Sequence, residues 1–174
     1  DDNATGTASV LETARILSQY QFDKSIIYCT FTCEEMGLVG SAAYASRCAS
    51  QGMDIAGYFN NDMNGYLYGD AIHIHQIYPS VAEPIGAYYR NVGAVYFPDM
   101  VIEHKNFSSG DSDHTSFNNN GYIGLYPFED VNHYSPHIHT PGDTIGLSVN
   151  SFAMSQRYCQ MNLACVAELA GMHA

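Results

Sequence analysis

Two glutamates stand side by side in CTFTCEEMGLVGS, residues 29–41, where an apolar run gives way to a helix start. Glu34 and Glu35 are one of four such places. Asp1 and Asp2 open the chain in DDNATG, Asn61 and Asp62 end the run GYFNND, and His133, His137 and His139 crowd the stretch NHYSPHIH. Carboxylates brought close together repel, so one must take up a proton or a cation must come between them. Carboxylates combined with imidazole suit zinc. Two adjacent glutamates can then divide the work: one holds the metal, and its neighbour takes a proton from water that the metal acidifies. Each cluster alone has a plainer reading. A Glu-Glu pair complements a helix N-terminus, Asn-Asp after a strand makes a turn, and Asp-Asp-Asn makes a cap. Their joint placement, with His-Thr-Pro-Gly-Asp-Thr following, favours a site.

The elements that must position these groups follow from periodicity. Apolar residues at Val10, Leu11, Ala14, Ile16 and Leu17 predict a helix over 5–20, with Asp2, Asn3 or Thr5 as its cap. SIIYCTFT, 25–32, is β-branched and aromatic and predicts a largely buried strand. Residues 37–50 read as a helix closed near Gly52, and strands are predicted over 54–62 and 71–78. A helix over 80–92 tolerates Pro84 in its first turn. Then come a strand at 100–104, a short helix at 112–120, a strand at 121–128, a loop at 129–150 and an apolar helix over 151–173. Strands alternating with helices imply an α/β layered fold, which collects ligands at the carboxyl ends of its strands. The carboxylates and histidines stand at those ends.

Composition narrows the function class. The 174 residues suit one domain, 46% of them are apolar, and no run is long enough to span a bilayer. A net charge of −12 with six Lys plus Arg argues against nucleic acid and anionic membranes, and fits cation binding. No signal peptide or lipidation box is visible, and the chain reads as the C-terminal part of a longer domain. The five cysteines, Cys29, Cys33, Cys48, Cys159 and Cys165, lack a zinc-finger spacing and read mostly as small core residues. His73 and His75 alternate along a strand and read as a solvent-facing edge. Asp113 reads as an N-cap as readily as a ligand-binding group.

Five segments in order, DDNATG (1–6), CEEMGLVGS (33–41), NNDMNGY (60–66), SDHTSF (112–117) and HIHTPGDT (137–144), resemble the di-zinc aminopeptidases of secreted type, relatives of glutamate carboxypeptidase and the glutaminyl cyclases. The resemblance spans nearly the whole chain. It implies a three-layer α-β-α fold with a mixed, mostly parallel central sheet, forming one zinc-peptidase domain over 1–174. It implies two Zn2+ ions, with Asp2 bridging them, Glu35 and His139 on one, Asp62 on the other, and Glu34 as general base. A further histidine ligand is expected in a segment before Asp1. Met63 and Ile138, beside the ligands, are candidates for the substrate pocket. Asp113 and His114 are candidates for substrate binding or for support of the ligands, and Tyr134 for a hydrogen bond to the oxyanion. The implied reaction removes N-terminal residues from peptides with a free N-terminus, outside the cell or in the periplasm. The alternatives are glutaminyl-peptide cyclisation on one zinc, or a binding domain without catalysis.

Overall fold

The computed structural model describes residues 1–107 and 111–173. Helix α1 spans Ala4–Leu17, and Asn3 is its cap, its side chain accepting from the Gly6 amide at 3.0 Å. The face that α1 buries is not its apolar one: Thr5, Ser9, Thr13 and Leu17 are inside, while Leu11 is exposed. Small side chains at this i, i+4 spacing let α1 lie close on α5 (Phe152–Ala170), where Thr13 Oγ1 meets Cys159 Sγ at 3.7 Å. The final helix therefore stops three residues before the expected end. Gly171 caps it in the left-handed conformation, and β6 (Met172–His173) pairs antiparallel with β1 (Gln21–Phe22).

The main sheet has four strands in the order β2 (Tyr58–Phe59), β5 (Gly124–Phe128), β3 (His73–Ile77), β4 (Val101–His104). β2 runs parallel to β5 and β3 parallel to β4, while β3 and β5 are antiparallel. The sheet is mixed, as expected. Alternation along its strands sorts two faces. Ile74 and Leu125 join Ile85, Tyr89, Met154, Tyr158 and Met161 of α3 (Glu83–Tyr96) and α5 in the main core. Tyr126, Phe128 and Ile77 form a second apolar cluster with Met63. The short α4 (His114–Asn119) packs against β5, and α2 (Val39–Ser50) packs against α4. The result is the three-layer α-β-α arrangement. A 3-10 turn at Ser80–Ala82 precedes α3, and Pro84 stands in the first turn of α3, where a missing N–H costs nothing. Among the described residues, no helix is long and apolar enough to cross a membrane.

Two expectations fail here. Residues 25–32 form no strand: the segment makes no ladder, and Ile27 and Tyr28 are exposed. A strand needs a neighbour for its N–H and C=O groups, and among the described residues 25–32 has none. Instead it borders a cavity of about 1010 Å³ whose lining includes Ile26 and Tyr28 together with Gly57 and Phe59. The second failure is His75. It lies buried in an inner strand, with β4 at the sheet edge, and its Nδ1 accepts the Val131 amide at 2.9 Å. Alternation showed that His73 and His75 share a face but not which strand would be outermost.

Candidate metal site and its surroundings

Four loops bring the candidate groups together, and three of them contain a non-glycine residue in the left-handed region. Cys33 (φ 58°) precedes Glu34, Met63 (φ 48°) follows Asp62, and His139 itself has φ 57°. Such conformations cost about 1–3 kcal/mol each and persist where surrounding contacts over-determine them. The contacts are visible. The Asp2 amide donates to Asp143 Oδ2 at 2.9 Å, tying the DDNATG loop to the histidine loop. Asn3 Nδ2 donates to the Asn61 carbonyl at 3.0 Å, tying it to the Asp62 loop. Gly6 completes the fit: a Cβ there would lie 2.0 Å from the Asn61 carbonyl oxygen, so the helix start can touch the Asp62 loop only without a side chain.

Asp2, Glu35 and His139 converge, with one ligand atom of each within 4.8 Å of the other two. His139 Nε2 lies 2.8 Å from Glu35 Oε1 and 3.1 Å from Asp2 Oδ2. Asp62 stands outside this trio. It is buried, one carboxylate oxygen accepts Ser112 Oγ at 2.7 Å, and the other, Oδ1, has no protein partner. Ser112 is in turn held by Asn60, and Asn60 by Tyr58, at 2.7 and 2.8 Å, so a chain of donors orients Asp62.

The electrostatics carry the mark of crowded anions. Glu34 is half-buried, and burial plus the charges of Asp62, Glu35, Asp113 and Asp2 push it up to about 7. Burial pushes Asp62 up to about 7 against the Ser112 hydrogen bond, with Asp2, Asp113 and Glu35 adding repulsion. Asp2 rises to about 6 through burial and Glu35, with His139 opposing. Burial pulls the His139 imidazole down, but Glu35, Asp2 and Glu34 outweigh it and raise its pKa. A divalent cation among these groups would reverse that repulsion. The trio of oxygen and nitrogen donors and the bare, buried Asp62 Oδ1 fit zinc.

The pocket candidates fall on one side of this set. Met63 is buried with Ile77, Tyr126 and Phe128, and Ile138 packs on the same cluster with Phe107 and Val131. Tyr134, at the surface, meets Phe107 edge-on and Phe128 at a tilt. His114 is buried beneath Tyr126, ring centroids 5.2 Å apart, and burial pulls its pKa down to about 4. Asp113 precedes α4 but makes no capping hydrogen bond; its Oδ1 is buried without a partner. His133 stacks on Tyr68 and pairs with Asp130.

Sequence reasoning overlooked Ser112, Asn60, Asp143 and Glu129. Glu129 carried a readable signal, because a charged residue directly follows the five buried residues of β5. Its carboxylate is fully buried, and burial pushes it up to about 8 against the Ser135 and Tyr66 amides that it accepts. Of the five cysteines, Cys48, Cys159 and Cys165 are buried as expected, Cys29 is half-buried and Cys33 is exposed; all five are free thiols.

Known proteins resemble this chain in sequence and in fold. Leucine aminopeptidase 1 of Trichophyton equinum is 29% identical over 98% of this chain, which matches 48% of that protein. Leucine aminopeptidase 1 of Arthroderma gypseum is 30% identical over 98% of the chain and 48% of its own length. The chain thus spans about half the length of the curated relatives that it matches. Among solved structures, the LapA aminopeptidase of Legionella pneumophila superposes with a TM-score of 0.86 at 23% identity, over 98% of this chain and 47% of that one. BSAP, a zinc aminopeptidase from Bacillus subtilis, gives 0.78 at 24% identity over 98% and 42%. The profile of Peptidase family M28 matches residues 1–161, and the chain belongs to that family.

Proposed function

We propose that this chain carries the catalytic base and most of the metal ligands of a zinc aminopeptidase. The observation that carries the reading is the convergence of Asp2, Glu35 and His139 on one point, with Glu34 next in the chain. Asp2, Glu35 and His139 would hold one ion. Asp62, with its unpartnered oxygen, would join Asp2 in holding a second. Zinc there supplies a Lewis acid for the scissile carbonyl and a water acidic enough to be deprotonated near neutrality.

The protein's own groups do the rest. Glu34 takes the proton of the attacking water and passes it to the departing amine nitrogen. The surrounding carboxylates meet the cationic α-amine of a peptide with a free N-terminus. The first side chain packs towards Met63 and Ile138, with Phe107 and Phe128 behind them, which favours large apolar residues. Tyr134, beside Phe107 and Phe128, is the candidate to hydrogen-bond the oxyanion, and Asp113 adds negative charge near Glu34. An extracellular or periplasmic location follows from the family resemblance alone.

The test is Glu34→Gln in the full-length protein, assayed on a panel of aminoacyl anilides. Turnover falls about 10²–10⁴-fold while bound zinc stays at the wild-type ratio. Undiminished turnover would remove Glu34 as the base. Wild-type turnover untouched by a chelator would remove the metal.

A further inference from the structure

Glu129 is not a ligand candidate, yet its carboxyl group bonds to both the loop that carries Asp62 and the loop that carries His139. It follows β5 directly, as Asp62 follows the parallel β2, so both stand at the carboxyl end of one strand pair. Its side chain is wholly buried. Oε2 accepts the Tyr66 amide at 3.0 Å, four residues after Asp62, and Oε1 accepts the Ser135 amide at 2.9 Å, four residues before His139. Both contacts reach backbone, so they fix the paths of the loops.

From Ser135 the tie continues on both sides. Ser135 Oγ accepts the His137 amide at 3.3 Å, inside the turn that ends in the left-handed His139. It also bonds Ser148 Oγ. On the other arm, Tyr66 is joined through Gly65, whose amide donates to Asp1 Oδ1 at 3.0 Å, beside Asp2. One buried side chain therefore links the loops of Asp62 and His139, and reaches the loop of Asp2 at one remove.

We infer that Glu129 is a positioning residue for the metal site: its two oxygens set the separation of the Asp62 and His139 loops, and so the zinc affinity of the ligands they carry. The inference rests on the zinc reading above. A carboxyl group suits this place because each of its two oxygens accepts a backbone N–H. A glutamine turns an N–H donor towards one of two backbone N–H groups and releases that loop.

The experiment compares wild type, Glu129→Gln and Glu129→Asp in the full-length protein. Zinc affinity is measured by competition with a chromogenic chelator, and melting temperature is measured with zinc and with chelator. Glu129→Gln weakens zinc binding about 10–100-fold, in line with loss of groups that support metal ligands. The rise in melting temperature on adding zinc shrinks with it. Glu129→Asp, too short to reach both amides, loses less. Wild-type zinc affinity in Glu129→Gln overturns the inference, as does a melting temperature lowered equally with and without zinc. Where Glu129→Gln does not fold, wild-type affinity in Glu129→Asp overturns it as well. A wild-type protein that binds no zinc would sink the metal site itself, a result distinct from either.

Discussion

Residues 124–128, GLYPF, and residues 25–32, SIIYCTFT, are both short apolar runs that end in acids of interest. The first is a fully buried strand with a neighbour on each side, β2 and β3. The second is extended, unpaired among the described residues, and shows Ile27 and Tyr28 to the surface. Composition is not what separates them. A run becomes a strand when something on each side takes its backbone polar groups, and hydrophobic burial follows only if the neighbours bring side chains to meet it. Glu129 inherits a rigid base from β5; Glu34 inherits a segment that borders a cavity.

Hydrogen exchange would break or sharpen this contrast most sharply. Amides of Leu125, Tyr126 and Phe128 should exchange at least about 10³-fold more slowly than unprotected amides, near the limit set by global unfolding, whereas those of 26–31 should exchange at close to unprotected rates. Protection across 26–31 would mean that another strand fills the cavity. A smaller effect is expected in stability. Leu125→Ala, in the closed core, should cost about 2–5 kcal/mol in a denaturant titration, and Ile27→Ala within about 0.5 kcal/mol of nothing. Similar costs would show that Ile27 is buried in the folded protein.

The smallest expected difference is in acid. His114 lies beneath β5 and has no counterpart in 25–32. Its folded pKa, about 4, is below that of the unfolded chain, so the unfolded state binds the extra proton between the two values. Its contribution is intact above about pH 6.5 and is lost as the pH falls towards 4, on the order of 1–3 kcal/mol in all. His114→Phe should flatten that part of the stability profile. An unchanged profile would place the acid sensitivity elsewhere.

Much of the candidate site was legible because the residues proposed for it are local in sequence. Glu34-Glu35, Asp2, Asp62 and His139 each sit in a short motif, and the alternation of strands and helices put them at one edge of a sheet. What could not be read was pairing. The periodicity of 71–78 showed that His73 and His75 share a face, yet the position of β4 outside β3 decides that His75 is buried. The apolar spacing of α1 was helical, but α5 accepts its stripe of Thr5, Ser9 and Thr13, because close approach favours small groups there. Ser112 acts through Asp62, 50 positions away, Asp143 through Asp1, 142 away, and Glu129 through Tyr66, 63 away, and only assembly reveals them.

Cys33 gives the candidate base loop a chemical vulnerability of its own. Its thiol is exposed, one residue before Glu34, in a backbone conformation that a β-carbon resists. An oxidant or alkylating reagent meets this sulfur before the buried thiols of Cys48, Cys159 and Cys165. A bulky adduct there would bear directly on the turn that carries Glu34, so the redox history of a preparation would be written into the geometry of that turn.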